Sequence, residues 1–130
     1  MSLYHYLVRL ETTLHSRQDI EVELLQFEII TIGVRFKSEL RFYDGSYLSI
    51  VEQLELVGKQ DYERIIYKYH YQDKNSNLIF RYDNSPHYPQ LSTFPAHKHV
   101  GGSIIEAEPP NLTDVLAEID ALIYPDVEAK

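Results

Sequence analysis

Between Arg64 and Asp83 the chain alternates in two runs. Ile65, Tyr67, Tyr69 and Tyr71 interleave with Arg64, Lys68, His70 and Gln72. After Asp73–Ser76, Leu78, Phe80 and Tyr82 interleave with Ile79, Arg81 and Asp83. A period of two in aromatic and β-branched residues marks a strand with unlike faces, and two such runs around a short polar turn mark an antiparallel hairpin. Setting Gln72 opposite Asn77 pairs Tyr71 with Leu78, Tyr69 with Phe80, Tyr67 with Tyr82, and Lys68 with Arg81. One face is then aromatic and the other polar and mainly basic. An isolated hairpin is at best marginal in water, so this one demands more strands and a cover for its tyrosines. The aromatic stripe therefore reads as core rather than as a base-stacking platform.

The remaining pattern supplies both. Leu3, Leu7, Leu10 and Leu14 recur at helical spacing, which predicts a helix over residues 2–15. Ile20, Val22 and Leu24 alternate, then Leu25, Phe27 and Ile29 alternate on the opposite parity. A bulge near Leu24–Leu25 explains that change; a strand buried on both faces is the alternative. Val34, Phe36, Leu40 and Phe42 share the face of a second strand. Asp44-Gly45 signals a hairpin turn that needs positive φ, and Leu48 and Ile50 begin the return strand. Glu52 has the parity of those two apolar residues, and an inward carboxylate needs a partner or a task. Val100–Ile105 reads as one more short strand. Asn111 caps a second helix with Asp114 in its first turn and Leu112, Val115, Leu116, Ile119, Leu122 and Ile123 as its apolar face. Pro125 ends it, and the last residues are expected to fray. The expected architecture is α+β over one domain, residues 1–130: an antiparallel sheet of about five to six strands with an N-terminal and a C-terminal helix packed on it.

Charge narrows the partners. The net charge is −8, which argues against a general nucleic-acid coat protein. The acids are unevenly spread: residues 59–102 carry net +2 and four of the six histidines, and residues 103–130 carry net −6. An anionic substrate can be met locally in the basic third. The chain has no cysteine, which removes disulfides, cysteine-bound metals and a thiol nucleophile. No basic-then-apolar leader opens it, and no apolar run approaches the roughly 20 residues of a membrane span. These features are compatible with a reducing cytosol, and no membrane partner is expected. An edge strand or the tyrosine face offers a place for a homodimer, but nothing in the sequence selects one.

The chemistry concentrates in Arg81–His99, which holds three histidines, a lysine, an aspartate, an asparagine and three prolines. So much proline predicts a loop, and loops on rigid scaffolds commonly carry function. Its motifs Arg81-Tyr82-Asp83-Asn84, Pro86-His87, Thr93-Phe94-Pro95 and His97-Lys98-His99, with Asp44-Gly45-Ser46 and Glu52 earlier in the chain, resemble the signature of the TumE family, small prokaryotic proteins that form the toxin half of a toxin–antitoxin pair. Tyr88 and Ala96 stand where many relatives have histidine, and both are read as supporting positions. The resemblance implies a cytoplasmic toxin neutralised by a helix-turn-helix antitoxin from a neighbouring gene. It implies RNA as substrate only by class analogy.

Four readings of the loop stay open. In the favoured one, two of His87, His97 and His99 act as base and acid on RNA without a cofactor. Lys98 and Arg81 stabilise the phosphate, and Asp83 orients a histidine. Asn84, Tyr88 and Lys68 then bind substrate, and His70 lies on the Lys68 face. In the second, a divalent metal sits on His97 and His99, completed by His87 and by Asp83 or Glu52. In the third, the polar side chains only lock the loop. In the fourth, the loop is the contact surface of a non-enzymatic binding toxin. His5 and His15 fall on the first helix and read as surface residues.

Overall fold

The computed structural model describes residues 2–125. The first helix, α1 (Leu3–His15), is capped by Ser2, whose side chain accepts from the His5 amide. Seven strands follow: β1 (Ile20–Ile30), β2 (Gly33–Phe42), β3 (Tyr47–Val57), β4 (Asp61–Gln72), β5 (Leu78–Asp83), β6 (His97–Val100) and β7 (Ser103–Glu106). They form one antiparallel sheet in chain order. The last helix, α2 (Leu112–Ile123), opens with a reciprocal capping box between Asn111 and Asp114. It stops two residues before Pro125, as expected of a residue that cannot continue a helix. The fraying expected at the very end falls outside the described residues.

Both helices lie on one face of the sheet. Leu10 and Leu14 of α1 and Val115 and Ile119 of α2 join Phe36, Leu40, Ile50, Tyr69 and Phe80 in the core. Leu14 is fully buried, a contribution of about 1.5–3 kcal/mol. The tyrosine face is thus closed to a second copy, which removes it as the dimer surface considered from sequence. Glu52 does point inward and is fully buried. It accepts hydrogen bonds from the hydroxyls of Tyr6 on α1 and Tyr69 on β4, both at 2.5 Å. Burial, and then the Glu52 charge, push both phenols far above their ordinary value of 10.0. Its occupation is structural: it ties α1 to the centre of the sheet.

The expected phase change in β1 is a bulge between Val22 and Leu24. The Asp44-Gly45 turn is present, with Gly45 at φ +86 and the Asp44 carboxylate accepting from the Ser46 amide and hydroxyl.

Three expectations are corrected. The strand expected at Val100–Ile105 is a hairpin, because Gly101 and Gly102 both adopt positive φ (+53 and +84) and reverse the chain. That turn divides one strand into β6 and β7 and raises the count to seven. The loop expected across residues 81–99 shrinks to residues 84–96, with its two ends drawn into β5 and β6. The β4–β5 register also differs. Tyr71 faces Phe80, Tyr69 faces Tyr82, His70 faces Arg81 and Lys68 faces Asp83. Asp73 closes on Asn77, Ser76 takes positive φ, and a bulge beside Gln72 absorbs one more residue. The two one-residue slips add, so the faces survive although the partners change.

Candidate functional site

The β5–β6 pairing assembles the site. Arg81 lies opposite His99 and Asp83 opposite His97. These residues, with Lys68 and His70 on β4, project from the sheet face away from the helices. Residues 84–96 fold back over them. The Tyr88 ring stands 4.8 Å from that of His97 and 6.0 Å from that of His99, and the two imidazoles are 5.0 Å apart. Asp83 and His97 are consequently buried on a face that would otherwise be wet, and His99 keeps about a quarter of its side chain exposed.

Asp83 is the hub. Its Oδ1 lies 2.9 Å from His97 Nε2 and accepts from the Ser85 amide at 3.0 Å. Its Oδ2 accepts from Arg81 Nε at 3.0 Å and lies 3.7 Å from His99 Nε2. His97 Nδ1 faces the Pro95 carbonyl at 3.0 Å, so that nitrogen carries a proton. Both ring nitrogens of His97 therefore face oxygen atoms. Burial lowers the pKa of His99 below the ordinary 6.5; Asp83 pulls the other way, while His97, Arg81 and His70 add to the lowering. His99 is thus a neutral, partly exposed base at pH 7 beside a fixed Arg–Asp–His array.

The loop itself is pinned by side chains. Asn84 accepts from the Tyr67 amide and donates to the Ile65 carbonyl, which spends its polar atoms on β4. Thr93 donates to the Ala96 carbonyl and accepts from the Ala107 amide, tying the loop to the chain after β7.

The residues singled out in the sequence divide accordingly. Asp83, His97, His99, Arg81 and Tyr88 come together, with Lys68 and His70 alongside. Lys98 does not join them. Strand alternation turns it to the helix face, where Nζ donates to Glu118 at 2.6 Å and stands 4.8 Å from the Tyr82 ring centre. Burial alone would lower its pKa, but Glu118 and Tyr82 outweigh burial and hold it above 10.5. Glu52 is likewise on the helix face and supplies no ligand here. Asn84 is a clamp. His87 is exposed, with its ring 6.4 Å from Tyr88. Asp83, His97 and His99 offer three donor atoms within 4.8 Å of one another. Sequence reasoning missed the Pro95 carbonyl and Ser85 amide that hold His97 and Asp83; backbone groups leave no signature in residue type.

The family model described as Toxin TumE matches residues 7–123 of the chain. No curated protein matches, and no solved structure matches. No helix among the described residues is long and apolar enough to cross a membrane.

Proposed function

The chain belongs to the TumE toxin family, and from that premise we propose that it acts in the prokaryotic cytoplasm as a ribonuclease, held in check by a cognate helix-turn-helix antitoxin. The observation that carries the reading is His99: a partly exposed imidazole whose pKa is lowered, set against the Asp83–His97 pair beside Arg81. With its Nε2 proton toward Asp83, His99 has Nδ1 left to accept the proton of a ribose 2′-hydroxyl. The 2′-oxygen attacks the adjacent phosphorus, and the 5′-oxygen leaves with a proton from His87, giving a 2′,3′-cyclic phosphate. Arg81, with Lys68 near it, stabilises the charge that builds on the phosphate. His97 is too buried to meet substrate and acts as a positioning residue. Tyr88 covers the pair and excludes water from it. Lys98 has no part in the chemistry.

A second reading has one observation in its favour. His97 donates from Nδ1 to a backbone carbonyl while its Nε2 converges with His99 and Asp83. That is how a metal-bound histidine is normally held. These three residues would hold a divalent ion, which would supply an activated water. Against it stands the Arg81 guanidinium, 3.0 Å from the same carboxylate, whose charge opposes a second cation.

The test is incubation of the purified protein with cellular RNA, with and without EDTA, beside His99→Ala. Cleavage that survives EDTA, leaves cyclic phosphate ends and vanishes in the variant is the expected result. Cleavage abolished by EDTA transfers the site to the metal reading. A preparation that arrests growth on expression but cuts no RNA overturns both and leaves a binding toxin.

A further inference from the structure

A pocket of about 400 Å³ opens between β4 and the 84–96 connection, walled by Arg64, Tyr67, Asn84, Phe94, Pro95 and Glu108. Tyr67 is only 3% exposed, and its hydroxyl is the one buried side-chain polar atom among the described residues without a hydrogen-bond partner. A buried phenol with nothing to bond is costly and calls for an explanation. Arg64 lies over it, with its guanidinium carbon 4.4 Å from the ring centre. One of its N–H groups donates to Tyr69. It belongs to none of the ion pairs among the described residues. The pocket thus offers a cation in no direct ion pair, linked to the Glu52 carboxylate only through the Tyr69 hydroxyl and sharing its walls with Glu108, and a donor without an acceptor. Burial raises the Tyr67 pKa to about 12, keeping the proton in place for donation; Arg64, Asp83 and Glu108 are the charges that bear on it.

Tyr67 has the parity of the helix face, opposite to the histidine cluster, and two wall residues adjoin that cluster along the chain. Asn84 follows Asp83 directly, and the Pro95 carbonyl is the acceptor for His97 Nδ1. Phe94, 42% exposed, presents an apolar ring at the rim.

We propose that this pocket binds a nucleotide of the same strand as the reacting one, with its phosphate on Arg64 and the Tyr67 hydroxyl and its base against Phe94. Glu108 accepts from the sugar or base N–H and O–H groups. The ligand moves the Arg64 guanidinium aside to meet the hydroxyl, which is closed to water without it. The identification of the ligand as part of an RNA strand rests on the ribonuclease reading; the donor set itself does not.

Tyr67→Phe removes only the orphan hydroxyl. The fold loses no hydrogen bond, so its thermal midpoint stays at or above that of the parent. The full chain is titrated calorimetrically with the four 5′-nucleoside monophosphates and with their parent nucleosides. Expected are binding of at least one monophosphate, weaker binding of its nucleoside, and an affinity about tenfold lower in Tyr67→Phe. Absence of monophosphate binding at millimolar concentration overturns the proposal, as does equal affinity in Tyr67→Phe. Tyr67-dependent binding by a protein that cuts no RNA overturns the ribonuclease reading and leaves the pocket standing. His99-dependent cleavage with parental KM in Tyr67→Phe overturns the pocket alone.

Discussion

The two faces of β5 and β6 are built from interleaved residues of the same short segments and have opposite characters. Outward, Arg81, Asp83, His97 and His99 form an array whose charges are fixed by one another and by backbone groups, with one imidazole still open. Inward, Phe80, Tyr82 and Lys98 meet α2, and the lysine is consumed by Glu118 and two aromatic rings. His97-Lys98-His99 contains three side chains suited to phosphate chemistry, yet the pleat sends the middle one to the other side. Residue type nominates a candidate, and backbone geometry decides.

The comparison can be broken by mutation. His99→Ala should lower RNA cleavage by about 100-fold or more while leaving the thermal midpoint near that of the parent; parental activity in that variant removes the outer face from the chemistry. Lys98→Met should do the reverse. It gives up the Glu118 pair, at about 1 kcal/mol, and lowers the midpoint by about 4 °C, with cleavage per folded molecule unchanged. A Lys98→Met enzyme that folds normally and is as dead as His99→Ala erases the distinction between the faces. Tyr82→Phe removes a second donor to Glu118 and should cost about 0.5–1 kcal/mol, read by urea unfolding, with no effect on rate.

Acid sharpens the contrast further. Burial lowers the pKa of both His99 and His70 from 6.5. The unfolded chain therefore takes up their protons first as pH falls. Their contribution to stability is whole above pH 6.5 and is lost as pH falls through their lower folded-state values. The acidic limb of kcat/KM should fall in the same window, since protonated His99 cannot act as base. A His70→Gln/His99→Gln variant should flatten the stability loss in the range just below 6.5; an unchanged profile assigns it to other groups.

Alternation carried most of what the sequence disclosed. The hairpins, the bulge in β1, the inward Glu52 and both helices follow from periods of two and 3.6. The meeting of Asp83, His97 and His99 was legible too, because His-x-His in extended backbone shares a side. What stayed hidden depended on where extended backbone begins. With the prolines read straight through to His99, nothing fixed the direction of Lys98, although it is opposite to that of its neighbours once β6 is recognised. Gly101-Gly102 carried the needed signal, a pair able to take positive φ in succession. The pocket at Tyr67 was illegible because its evident role was core, and an unpaired hydroxyl exists only in three dimensions.

The chain-order arrangement of the sheet bears on how the protein comes into being. Six of its strand contacts join neighbours in sequence, and five of these close across tight turns. Such pairings zip rapidly because little chain entropy is lost at each step. The exception is β5 with β6, which must wait for residues 84–96 to close. Asp83 and His97 face each other across that junction. A nascent chain can thus assemble most of its sheet while its histidines are still apart, so the junction that brings Asp83 and His97 together is the last of the sheet to close.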